Sequence, residues 1–194
     1  MSSDNQNLKT MADILFMPVL FYVLTKWGDI DSIQGRFLWV ALLMIVYNEM
    51  MSVRESYVVY QVSIYTLDLF SLFIFVVALD ALSDNSSPIG YNPTFWLAIS
   101  GLWLNYAVWD ILMSKLVDKK NASDFLVWAS CMICFSFLNL FCYFVILFTF
   151  DKISIPLYKN INIVAQLISI SLIIWSLSMW ILDRHKWFSG LRED

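Results

Sequence analysis

Four long apolar runs, Tyr57–Leu79, Phe95–Leu116, Phe125–Phe150 and Ile161–Leu182, constrain this chain more than any other feature. A helix rises about 1.5 Å per residue, so about 20 apolar residues cross the ~30 Å hydrocarbon core of a bilayer. Backbone polar groups find no water there, and a run of this kind must satisfy them internally as a helix. Two earlier stretches are shorter: Ile14–Thr25 is interrupted by Pro18, and Phe37–Tyr47 stops at Asn48 and Glu49. The sequence therefore predicts an all-α polytopic transmembrane bundle. It has six spans, near residues 12–27, 36–52, 57–79, 95–116, 125–150 and 161–183, or four long spans plus a short N-terminal hairpin. With 60% hydrophobic and 14% charged residues, what remains outside the spans is too short for a soluble domain with its own core, and residues 1–194 read as one integral membrane domain.

Both span counts put the termini on one side. With the N-terminus inside, the inner ends carry Lys9, Arg54, Lys115, Lys119, Lys120, Arg184, Lys186 and Arg192, against Lys26, Arg36, Lys152 and Lys159 outside. The positive-inside rule then places both termini in the cytoplasm of a multi-pass inner-membrane protein. The loop Asp80–Pro93 has no cation, in keeping with an outer position. Trp27, Trp39, Trp96, Trp109, Trp128 and Trp187 lie near span ends, where interfacial aromatics are expected. The N-terminus lacks the cleavage pattern of a removable signal peptide.

Polar residues inside the spans are the candidate site. Gln61, Tyr65, Asp68 and Ser71 follow spacings of four, three and three, which stacks them on one helical face. Asp68 is the sole formal charge between Tyr57 and Leu79. A central Asp costs roughly 2.5–3.5 kcal/mol on insertion scales, so it needs partners or a wet cavity. Asn105 and Asn139 fall at similar depth within their own runs, which suggests one mid-membrane layer of Asp68, Asn105, Asn139, Gln61 and Tyr65. No cation lies near the middle of a long span, and a neutral or water-bound Asp68, hydrogen-bonded to Asn105 or Asn139, is expected rather than a salt bridge. The last span carries a seam of Asn162, Gln166, Ser169, Ile173, Ser176, Trp180 and Asp183, alternating four and three, typical of helix packing or of a water-lined face. Glu49, Arg54, Asp110, Lys115, Lys119, Lys120, Arg184 and Lys186 form a mixed-charge cytoplasmic rim.

Enzymatic chemistry finds little support. The single histidine, His185, lies beyond the last span, so a bis-His haem or a buried Ser-His or Cys-His pair has no place within one chain. No H-E-x-x-H occurs, Leu67 precedes Asp68 where intramembrane aspartyl proteases carry Tyr, and Ala98-Ile99 precede Ser100-Gly101 where a Gly-x-Ser-Gly nucleophile motif would be needed. Cys131 and Cys134 share a helical face without a nearby His, which reads as apolar packing, and no cofactor or metal is expected. No basic block is longer than Lys119-Lys120, so direct nucleic-acid binding is not expected either. With five Gly and four Pro, the spans lack the interrupted helices common in carriers.

The expectation is a non-enzymatic, homo-oligomeric membrane subunit that anchors, senses for or forms a pore with a cytosolic protein partner, in contact with membrane lipid. The alternative is a proton- or cation-conducting channel or small transporter that uses Asp68. An excess of Phe, Ile, Asn, Lys, Tyr and Met over Gly, Ala, Pro and Arg suggests an AT-rich gene. Such genes are common in mobile bacterial elements, and anti-phage defence is the setting this suggests.

Overall fold

A computed structural model describes residues 3–30, 33, 35–44, 62–83, 92–116, 119–150, 152, 154–164, 167–168, 170–171, 173–174 and 178. The described residues are helical apart from short turns, with no strand among them. Six helical segments occur: α1 (Ser3–Thr25), α2 (Gly35–Met44), α3 (Val62–Ser83), α4 (Pro93–Leu116), α5 (Lys119–Phe150) and α6, which starts at residue 156. Among the described residues three helices are long and apolar enough to cross a membrane: α3, α4 and the Phe125–Thr149 stretch of α5.

The boundaries follow local chemistry. Asn92 caps α4: its side-chain Oδ1 accepts from the Thr94 N–H at 3.0 Å, and Pro93 occupies the first helical position, where its missing N–H costs nothing. The same Asn92 donates through Nδ2 to the Ala81 carbonyl at 3.0 Å, which satisfies one of the orphan acceptors at the end of α3. One residue thus starts α4 and ties it to the helix before it. Helix α3 runs four residues beyond the expected span end at Leu79 and includes Asp80, the first residue of the expected loop. Asp80 is tolerated there because the Tyr22 hydroxyl donates to its Oδ1 at 2.5 Å and Lys26 Nζ lies 3.9 Å from it.

Helix α1 is longer than the expected 12–27 segment and carries Pro18 without being broken. A proline inside a helix removes one backbone donor, and Pro18 stands on the exposed side. After α1 a single 3-10 turn, Lys26–Asp29, leads toward α2. The corner is closed by Trp39, whose indole Nε1 donates to the Val23 carbonyl at 2.7 Å, and by Arg36, whose Nε donates to the Ile30 carbonyl at 3.0 Å. Trp27 packs edge-on against Trp39 at 4.6 Å, and the Arg36 guanidinium lies 5.2 Å from the Trp27 ring. Lys26 also pairs with Asp29 at 3.4 Å, but these partly exposed ion pairs contribute at most about 1 kcal/mol each. Trp39 is buried rather than interfacial because that carbonyl needs a donor.

The core runs through α1 to α5, with Phe16, Leu38, Phe75, Leu79, Trp96, Ile99 and Ile146 among its buried side chains. Trp96 differs most from expectation: placed near a span end by sequence, it is 0% exposed and packs against Phe95 at 4.9 Å. The opposite faces present Phe70, Phe73, Leu104, Phe137, Phe141, Phe144 and Phe148 outward, as lipid-facing surfaces should. At the end of α5, Asn162 of α6 donates to Thr149 Oγ1 at 2.8 Å, and Lys152 Nζ sits 3.9 Å from the Phe148 ring.

Candidate functional site

The polar side chains expected at mid-membrane fall into separate levels, set by two hydrogen-bonded rungs. The first joins α4 to α5. Ser100 Oγ donates to the Ser136 carbonyl at 2.8 Å, Ser136 Oγ donates to the Ser100 carbonyl at 2.9 Å, and the hydroxyls are 3.0 Å apart. Only small side chains let two backbones approach this closely, and in lipid such contacts hold helices together. The second rung joins α4 to α3. The Asn105 amide donates both its protons, to Ser71 Oγ at 2.7 Å and to the Leu67 carbonyl at 3.0 Å.

Asp68 lies between those two acceptors of α3 and is 2% exposed. Of the expected layer, Asp68 and Asn105 therefore stand at one level, with Asn105 bonded to Ser71 of the Asp68 stripe. Tyr65, half-buried, is one turn below on the same helix, while Gln61 lies outside the described residues. Asn139 is elsewhere. Helices α4 and α5 are antiparallel, so Asn105, five residues from Ser100, and Asn139, three from Ser136, stand on opposite sides of the serine rung. Eight residues at about 1.5 Å each separate them by about 12 Å along the bundle. Asn139 is fully buried, and its amide donates to the Phe135 carbonyl of its own helix at 2.9 Å. The Asn105 and Asn139 amide bonds thus go to acceptors other than Asp68.

Around the Asp68 level α4 supplies aromatic residues that the sequence did not single out as a site. Trp103, Tyr106 and Trp109, three residues apart, run along one side of that helix. Trp103 packs against Tyr106 at 6.0 Å and Phe135 at 6.3 Å, and Trp109 against Phe125 at 6.3 Å. The indole Nε1 atoms of Trp103 and Trp109 are buried and have no hydrogen-bond partner among the described residues. Their spacing of six is legible in the sequence, but their neighbours are not: Trp109 lies toward a span end, where aromatics are ordinarily interfacial, and Trp103 lies well inside its run, where spacing alone does not say which helix it meets.

The remaining candidates divide. In the α6 seam, Asn162 and Ile173 are buried, with Asn162 bound to Thr149, a partner the sequence did not suggest. Gln166, Ser169 and Ser176 lie outside the described residues. On the rim, Asp110 is half-buried and Lys115 exposed, both on α4. Lys119 and Lys120 start α5, with side chains outside those described, and Glu49, Arg54, Arg184 and Lys186 lie outside the described residues altogether. Cys131, Cys134 and Cys142 are free thiols. Among the described residues no three His, Cys, Asp or Glu side chains are grouped to hold a metal ion.

Compared with known proteins, the chain matches no family model, no curated protein and no solved structure. Fold and site together define a helical protein in which, among the described residues, three apolar helices are of membrane-crossing length and are joined in the interior by side-chain hydrogen bonds.

Proposed function

We propose that this chain is a non-enzymatic membrane subunit, an oligomeric anchor, sensor or pore component for a cytosolic partner in a bacterial inner membrane. The observation that carries this reading is how the polar groups of the long helices are used. Ser100 binds Ser136, Asn105 binds Ser71 and Leu67, and Asn162 binds Thr149, so the polarity of these spans joins helices to one another. A stiff bundle with apolar outer faces is suited to holding a partner at the membrane. Six spans with both termini in the cytoplasm would place Lys115 and the basic residues of the C-terminus on the partner's side. Bacterial anti-phage defence is the setting that the composition suggests.

Crosslinking in native membranes followed by purification in mild detergent tests the proposal. The expected product is an oligomer that carries a cytosolic protein in fixed proportion. A strictly monomeric chain with nothing bound contradicts it. The burial of Asp68 supports a second reading, a proton or cation pathway. That reading predicts flux through reconstituted protein that changes when Asp68 is replaced by asparagine.

A further inference from the structure

We propose that Arg36 and the outward stripe of α2 bind one phospholipid, its phosphate on the guanidinium and an acyl chain along the helix. The guanidinium is held in place before any lipid arrives. Its Nε donates to the Ile30 carbonyl at 3.0 Å, and it lies over the Trp27 ring at 5.2 Å. Trp27 is fixed in turn against Trp39, whose indole is bonded to the Val23 carbonyl. Arg36 is exposed, and among the described residues its two Nη nitrogens have no hydrogen-bond or ion-pair partner. With Nε engaged, those two nitrogens still present a parallel pair of N–H donors, the geometry that takes two oxygens of one phosphate. The neighbouring cation is already engaged: Lys26 lies 3.4 Å from Asp29 and 3.9 Å from Asp80. Asp80 stands in the last turn of α3, so this cluster of charges marks the level at which that apolar helix ends.

Below that level the surface of α2 is apolar. The helix runs back along α1, with Arg36 bonded at Ile30 and Trp39 at Val23. Leu38, Trp39 and Leu42 pack inward, while Phe37, Val40 and Met44 are 49%, 41% and 42% exposed. Spacings of three and four put these three on one face, which starts beside Arg36 and extends about 10 Å along α2. A charge at the head of the stripe and hydrocarbon beneath it follow the order of a phospholipid. A soluble phosphate would leave the stripe bare, and an apolar helix of another protein would leave the guanidinium without an anion.

The inference rests on the chain lying in a membrane, as the proposed function does, but it needs no cytosolic partner. Native mass spectrometry of the detergent-solubilised full chain, titrated with dioleoylphosphatidylglycerol, measures the site. Arg36→Gln is expected to lower the affinity of the tightest site at least about tenfold, the loss that follows from removing a bidentate phosphate contact. Lys159→Gln, at an exposed cation of α6, is the control and should leave that affinity unchanged. An Arg36→Gln chain that binds as tightly as wild type overturns the proposal. Two further titrations need no variant: dioleoylglycerol has the chains without the phosphate, and glycerophosphoglycerol has the phosphate without the chains. Each is expected to bind wild type at least about tenfold more weakly than the intact lipid, and equal binding of either overturns the proposal. Tight lipid binding by a chain that carries no protein partner would overturn the anchoring role alone.

Discussion

Trp96→Ala is expected to destabilise the bundle by about 3–5 kcal/mol, the range for deleting a large buried aromatic. The side chain is fully buried in α4, against Phe95 and among the apolar groups that close one end of the core. Removing it leaves a cavity that the neighbouring helices, pinned by the Asn92 and Ser100 bonds, can only partly collapse. Unfolding of the detergent-solubilised protein, followed by loss of helicity, measures the effect. Phe73→Ala is the comparison, because that ring is 64% exposed on α3 and should change stability by no more than about 0.5 kcal/mol. Were Trp96 an interfacial anchor, the two replacements would differ little.

Ser100→Leu is expected to cost about 1–3 kcal/mol through overpacking. The opposing hydroxyl of Ser136 is 3.0 Å away, so the added carbons have no room unless α4 and α5 separate. Ser100→Ala removes the hydrogen bonds without adding bulk, and interhelical bonds in membrane proteins average about 0.6 kcal/mol, with a maximum near 1.7. Leucine should therefore be clearly worse than alanine in the same unfolding assay. Ser136→Gly in the Ser100→Leu background should recover part of the loss. Equal losses for leucine and alanine would mean that the helices are not held at this distance.

The long spans were legible because their length and apolarity leave the backbone no alternative to a helix. Their ends were less so. Asp80 reads as a loop residue in isolation, and it lies inside α3 because Tyr22 and Lys26, some 55 residues earlier in the chain, meet it there. The stripe of Tyr65, Asp68 and Ser71 was visible as helical spacing, and the structure sets Asp68 and Ser71 in the interior. Depth was the weak step. Counting from the middle of each run put Asn105 and Asn139 together, whereas the Ser100–Ser136 rung sets the register and carries them apart. Register between two helices depends on which small residues meet, and no periodicity within either helix encodes it. Trp96 was hidden for a related reason, since a tryptophan near a span end looks the same whether it faces headgroups or a neighbouring helix.

On the proposal that polarity inside the spans holds helices together, Asp68 carries no proton across the membrane. Proton flux across sealed liposomes containing the purified protein tests it most directly. Flux is expected to be no greater than in protein-free liposomes, for the wild-type chain and for Asp68→Asn alike. A wild-type flux well above that background, lost in Asp68→Asn, would contradict it.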